Sequence, residues 1–233
     1  MNLIKAKKLP LKDRNYSNAL LIPCASFLKW VKDSIPQSNV IEYDMLSFKI
    51  IVPQKRNFVI IGPAIGSPSA ILILERIAAS GIKNVVVLGT CGAISEEAKI
   101  GDVLLPISTI SEEGTSKLYT KKPNYNPSPF LTEVIEKKLN ENEIPYKKGM
   151  IWSTDAPYME SPEKIRFFRE KGAIGVDMEL SALFAIGALK KINIAGILLV
   201  SDELHSNTWK TGFKSKVLKK HYKIIINTLF SLF

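Results

Sequence analysis

Short apolar runs alternate along this chain with stretches whose apolar residues recur at helical spacing. The runs at 18–23, 57–62, 85–88, 102–107, 148–153 and 194–200 predict strands. Another at 45–52 reaches the second of these through a turn at 53–56. Helices are predicted over 26–35, from Ser69 to a stop at Gly81, and over 129–142. Ser161-Pro162-Glu163 opens a further helix, with a capping hydroxyl, a proline in the first turn and an acid near the positive end of the dipole. Asp177 or Met178 begins the next, which runs through Ala188. Leu218, Tyr222, Ile225 and Leu229 space a closing helix. The polar 111–126 stretch, broken by Pro and Gly, predicts a loop over one face. With no linker and no repeat, the alternation implies one α/β domain over 1–233, a sandwich around a largely buried sheet.

In open α/β sheets ligands bind beyond the carboxyl ends of the strands. Four such ends carry unusual residues: Gly89-Thr90-Cys91-Gly92, Trp152-Ser153-Thr154-Asp155, Ser201-Asp202-Glu203, and the loop from Gly62 to Ser69. The stretch VVVLGTCGAI reads as a buried strand ending in a loop able to hold an anion, with no positive charge on or beside it.

Composition narrows the classes. At 46% hydrophobic and 23% charged residues, a chain of 233 builds a normal globular core. The formal net charge of +10 comes mostly from lysine, with Lys5, Lys7, Lys8 and Lys12 at one end and a run from Lys210 to Lys223 at the other. Without an aromatic-interleaved basic platform this reads as solvated surface, and nucleic acid is not an expected partner. Cys24 and Cys91 lie far apart and form no CxxC, which suggests a reduced, cytoplasmic protein with no metal site. The first apolar residues are broken by lysines, so no secretory leader is expected. The uncharged 57–74 segment contains Gly62, Pro63, Gly66 and Pro68, and reads as strand, turn and helix rather than a membrane span.

Four ordered stretches together resemble the nucleoside phosphorylase/nucleosidase superfamily, which contains purine nucleoside phosphorylase, uridine phosphorylase and methylthioadenosine nucleosidase. GPAIGSPSAILILERIAASG resembles that family's Gly-x-Gly-Ile-Gly-x-Pro-Ser…Glu-Glu-Leu segment, with Ala64 and Arg76 as departures. LGTCGAISEEAKIGDVLLP resembles its Gly-Ser/Thr-x-Gly…Gly-Asp-Val segment. GVDMELSALFAIGA is similar to its Val-Glu-Met-Glu segment, and LLVSDELH to its Val-Ser-Asp segment.

The resemblance implies a three-layer α/β/α sandwich around a mixed, partly barrel-like sheet, and cleavage of an N-glycosidic bond. Such cleavage needs a held ribose, a leaving base that accepts charge and a nucleophile below the sugar. By the resemblance, Glu179 grips the ribose hydroxyls, since one carboxylate accepts from two at once, and Met178 lies against the sugar. Asp177, in place of the more common Glu, has a supporting role. Asp202 faces N7 of a purine and has to donate or share a proton, which burial favours. Lys210 is a candidate to bias that proton. Tyr158, in STDAPY, stacks on the base, and Trp152 belongs either to the same pocket or to the core. Gly66, Gly89, Thr90 and Gly92 form the phosphate or anion loop. No cofactor is implied beyond inorganic phosphate as co-substrate, and relatives imply a homo-oligomer, from dimer to hexamer.

The chain departs from the family at the acceptor. Phosphorylases carry an arginine two residues before Gly-Ser/Thr-x-Gly, where this chain has Val87. A second arginine lies in a Gly-Asp-Pro-x-Arg segment, replaced here by IPCASFLKW, and a third would fall within 43–47. Lys29, Arg56 or a lysine of another subunit are the candidates to restore a phosphate site. Hydrolytic relatives instead activate water with a glutamate after the first strand, where this chain has Cys24-Ala25-Ser26. Three readings follow: a purine nucleoside phosphorylase, a nucleoside hydrolase using water, and a non-catalytic nucleoside-binding or storage-like relative.

Overall fold

Val85 and Val87 pack into one hydrophobic cluster and Val86 and Leu88 into another, so this strand is buried on both faces. The computed structural model describes residues 3–11, 15–54, 56–122, 125–206 and 208–232. Lys12, Lys55 in the 53–56 turn, and Pro123 and Asn124 in the 111–126 stretch lie outside the described residues.

The strand is β5 (Asn84–Ala93). It pairs in parallel with β1 (Asn18–Leu21) and with β9 (Asn193–Glu203), and β1 in turn pairs with β4 (Phe58–Gly62). β6 (Val103–Ser111) runs antiparallel to β9 and parallel to β7 (Lys147–Ser153), which runs parallel to β8 (Ala173–Asp177). β8 returns antiparallel to the end of β5, at Gly92 opposite Val176. Strands β9, β6, β7, β8 and β5 therefore close on themselves, which gives the mixed, partly barrel-like sheet. An antiparallel hairpin, β2 (Val40–Asp44) with β3 (Lys49–Pro53), extends the opposite edge beyond β4.

Helices α2 (Ser67–Ala79) and α6 (Leu180–Lys190) cover one face. Helices α1 (Ala25–Asp33), α4 (Pro129–Glu141) and α7 (Lys216–Phe230) cover the other. The chain is thus a three-layer α/β/α sandwich. Shorter elements include α3 (Thr115–Tyr119), the edge strand β10 (Lys210–Thr211), and α5 (Pro162–Glu170), capped by the Ser161 hydroxyl, which accepts from the Lys164 amide. No helix among the described residues is long and apolar enough to cross a membrane.

Several expectations are corrected. β5 does not end in a loop at Gly89: it runs on to Ala93, paired with β9 along its length and with β8 at its end. Residues 173–177 form a strand, and the helix expected at Asp177 or Met178 begins at Leu180. The 45–52 strand shrinks to β3, because Met45–Phe48 closes the hairpin through the Met45 amide and Phe48 carbonyl. The 111–126 stretch contains α3, nucleated by Glu113, whose carboxylate accepts from the Ser116 amide.

Candidate active site

Between Cys91 and Gly92 the β5–β9 register shifts by one residue. Such an irregularity re-aims the side chains beyond it. There the ends of β5, β8 and β9 surround a cavity of about 420 Å³. Gly92 makes this convergence possible: a Cβ on it would lie 2.6 Å from Leu204 Cδ1 and 3.2 Å from Asp202 Oδ2. The missing side chain lets the Asp202 carboxyl lie against the β5 backbone.

Met178 and Glu179 line the cavity from the β8–α6 junction. Two contacts from the start of α2 hold this segment. The Gly66 amide donates to Glu179 Oε1 at 2.6 Å, and Ser67 Oγ donates to the Met178 carbonyl at 2.7 Å. Gly66 has φ +79°, a left-handed conformation that favours glycine and turns its amide toward the carboxylate. Asp177 is a buried hub: Ser153 Oγ donates to its Oδ1 at 2.5 Å, and the Glu179 and Leu180 amides donate to Oδ2 at 3.2 and 2.8 Å. It thereby caps α6 from the end of β8. Behind it, Ser181 donates its amide to Ser153 Oγ and its hydroxyl to the buried Glu113.

Burial, and then the charge of Asp177, pushes the Glu179 carboxyl above its usual range. Burial also raises Asp177, partly offset by the Ser153 hydroxyl and the two amides. Asp177 accepts from three donors and Glu179 from the Gly66 amide, so hydrogen bonds partly offset the burial of both acids.

Asp202 is 9% exposed on β9. Ser201 Oγ donates to its Oδ1 at 2.6 Å and Trp209 Nε1 to its Oδ2 at 2.9 Å. Each oxygen keeps a further lone pair for a ligand. Lys210 does not reach Asp202: its ammonium binds both oxygens of Glu203, because antiparallel pairing sets Lys210 opposite Glu203. Tyr158 stands at the rim, 97% exposed, on the turn Pro157–Met159. Trp152 belongs to the core, stacked on Phe168 with ring centroids 4.1 Å apart.

Of the four residues expected to form an anion loop, Thr90 and Gly92 line the cavity, and Gly66 and Gly89 do not. The Gly66 amide is committed to Glu179, and Gly89 packs against Leu198 inside the sheet. The backbone at Gly92 is paired to β8 and β9, and the Thr90 hydroxyl of this stretch lines the cavity without a hydrogen bond to the described residues.

The sequence reading missed Glu160, Trp209 and the support formed by Glu113, Ser153 and Ser181. Glu160 lines the cavity two positions after Tyr158, and Trp209 donates to Asp202 from beyond the end of β9. The one signal in the sequence is proximity: Glu160 lies two positions after Tyr158, and Trp209 precedes the lysine considered for Asp202. Burial, followed by the charges of Asp202 and Glu112, pushes Glu160 up to about 7, with Lys164 opposing. Glu160, Asp177, Glu179 and Asp202 all line the cavity, and no Lys, Arg or His does so among the described residues. Lys29 and Arg56 lie outside this lining, and Arg56 donates instead to the Phe230 carbonyl. No group of three or more His, Cys, Asp and Glu among the described residues is placed to hold a metal ion.

Known proteins resemble this chain in sequence and in fold. The chain is 33% identical over 147 residues to the DeoD-type purine nucleoside phosphorylase of Brevibacillus brevis, a match covering 61% of this chain and 62% of that protein. The match thus spans about three fifths of the length of that relative. Among solved structures, purine nucleoside phosphorylase from Toxoplasma gondii in complex with immucillin-H superposes with a TM-score of 0.85 at 17% identity, covering 100% of this chain and 96% of that one. AMP nucleosidase from Bacteroides thetaiotaomicron gives 0.74 at 25% identity, over 93% and 87% of the two chains. The family model described as the phosphorylase superfamily matches residues 28–228, and the chain belongs to that family.

Proposed function

We propose that the protein cleaves the N-glycosidic bond of a purine nucleoside, with inorganic phosphate as acceptor and free base and ribose 1-phosphate as products. The observation that carries this reading is the convergence of buried Glu179 and Asp202 on one cavity, with Met178 between β8 and α6 and Tyr158 at the rim. Glu179 accepts from the ribose hydroxyls and Met178 packs on the sugar. Asp202 shares a proton with N7 as negative charge develops on the leaving base. The positive charge that develops on the ribose sits among carboxyl groups, which lowers its energy in a site partly screened from water. Likeness to the DeoD-type purine nucleoside phosphorylase of Brevibacillus brevis supports phosphate and a purine base.

Water is the second reading, favoured by the charge of the cavity. A phosphate dianion would enter a space lined by four acids and by no described cation. A homo-oligomer, from dimer to hexamer, is part of the proposal, and a lysine or arginine from a second copy would supply that cation. The test follows release of free base from inosine, adenosine, guanosine and uridine, with and without phosphate. Phosphate-dependent release from the purine nucleosides is expected. Release that ignores phosphate replaces phosphorolysis with hydrolysis, and tight nucleoside binding without release makes the protein a binding relative. No release and no binding overturns the proposal.

A further inference from the structure

Glu160 is the lining carboxyl that glycosidic cleavage leaves without a task. It sits between the turn carrying Tyr158 and the Ser161 cap of α5, half-buried, and its side chain makes no hydrogen bond to the described residues. The nearby cation is already engaged: Lys164 donates to Glu112 Oε1 at 2.5 Å, while Glu112 Oε2 takes the Trp152 indole N–H at 3.1 Å. The groups that face Glu160 are Asp202 from β9, Glu112 from beyond β6 and Lys164 from α5. His205 Nε2 lies 3.5 Å from Glu203 Oε2. A carboxyl so placed, lining a ligand cavity beside Asp202 and short of a protein donor, is available to a ligand.

We propose that Glu160 reads the six-position of the base: side by side with Asp202 along one purine edge, it selects purines with an amino group there over purines with a carbonyl oxygen. This rests on the purine-nucleoside reading above. On that edge N7 is an acceptor in every purine, but the adjacent substituent is a donor in adenine and an acceptor in hypoxanthine and guanine. With Asp202 facing N7, an ionised Glu160 accepts from the amine and repels the carbonyl oxygen. A protonated Glu160 donates to the carbonyl instead, and the preference relaxes. Burial and the charges of Asp202 and Glu112 hold its titration near 7 against the pull of Lys164, so selectivity changes across neutral pH.

Calorimetric titration with adenine and with hypoxanthine, at pH 6 and pH 8, tests this on the full chain. Adenine is expected to bind roughly tenfold tighter than hypoxanthine at pH 8, the size of one hydrogen bond to a charged group, with the ratio shrinking several-fold at pH 6. In Glu160→Gln the amide both donates and accepts, so the ratio is small and the same at both pH values. A wild-type ratio that ignores pH, or a Gln variant that keeps the wild-type preference, overturns the assignment. The base-release assay separates the two claims. Adenine binding with the expected selectivity but no cleavage of any nucleoside overturns the activity and leaves the role of Glu160 standing. Failure to bind either base overturns the role of Glu160, and the activity falls with it only if no nucleoside is cleaved or bound.

Discussion

Glu179 is fixed by the amide of a residue 113 positions upstream, Gly66. Its carboxylate is therefore pre-aimed, and little ordering is left for a ribose to impose on it. Glu179→Gln keeps the size and the contact with Gly66 but turns one acceptor oxygen into a donor. The kcat/KM for a purine nucleoside is expected to fall about 10²–10³-fold, as when a charge-stabilising contact is lost. Steady-state kinetics measures this, and unchanged kinetics would remove Glu179 from the proposed ribose site. Glu179, Met178 and Asp202 were legible because each lies inside a short motif whose neighbours also match. Glu160 and Trp209 were not, since a Glu before a Ser-Pro cap reads as solvated and a Trp in a polar stretch carries no period. Their place in the cavity arises from where the chain folds them: Trp209 donates to Asp202 and Glu160 lines the same space.

At the scale of elements, the sheet needs β5 to go on past its apolar run. Val85 to Leu88 announce a strand, but Gly89 to Gly92 read as a turn because glycine weakens strand propensity. Long-range pairing wins: β9 follows β5 past the register shift, and β8 closes on its end. No local pattern encodes those partners. The same holds for β8: of its five residues AIGVD the sequence pattern leaves 173–176 unassigned and starts a helix at Asp177 or Met178. β2, VIEYD, is half-buried at the sheet edge and lacks a continuous apolar run. Gly92→Ala tests the β5 end directly. Its methyl would meet Leu204 at 2.6 Å, so that side chain must move, and Asp202 must give way as well. Overpacking of this kind costs about 1–3 kcal/mol, or roughly 2–10 °C in Tm for a domain of this size. Thermal unfolding reads the loss of stability, and a disproportionate fall in kcat is expected because the displaced group is Asp202. A variant as stable and as active as the wild type would mean that the β5–β9 convergence has slack.

For the whole molecule, surface and cavity pull stability in opposite directions with pH. The surface carries the formal +10, and raising the pH toward the pI near 9.5 reduces self-repulsion, which favours the fold. The cavity does the reverse. Glu160, Asp177 and Glu179 are all raised above their ordinary values, chiefly by burial, so the folded protein holds more protons than the unfolded chain at mildly acidic to neutral pH. Their contribution is complete below the ordinary carboxyl pKa and is lost as pH rises through the raised values. Buried Cys91, raised well above its ordinary value, adds loss above about pH 9. Carboxyls held low, such as Glu113 and Glu203, stay ionised in both states above about pH 5 and are silent in this window. Magnitudes decide the outcome: surface repulsion is screened over about 8 Å at physiological salt, whereas each pK unit on a buried group is about 1.4 kcal/mol. The cavity prevails, and Tm is expected to fall between pH 6 and pH 8.5 although the net charge is shrinking. In Glu179→Gln the fall is shallower, and the variant is the more stable protein at pH 8.5. Unfolding followed by calorimetry at constant ionic strength checks both slopes. A wild-type Tm that climbs toward the pI would show that surface charge, not the buried acids of the cavity, governs the stability of this fold.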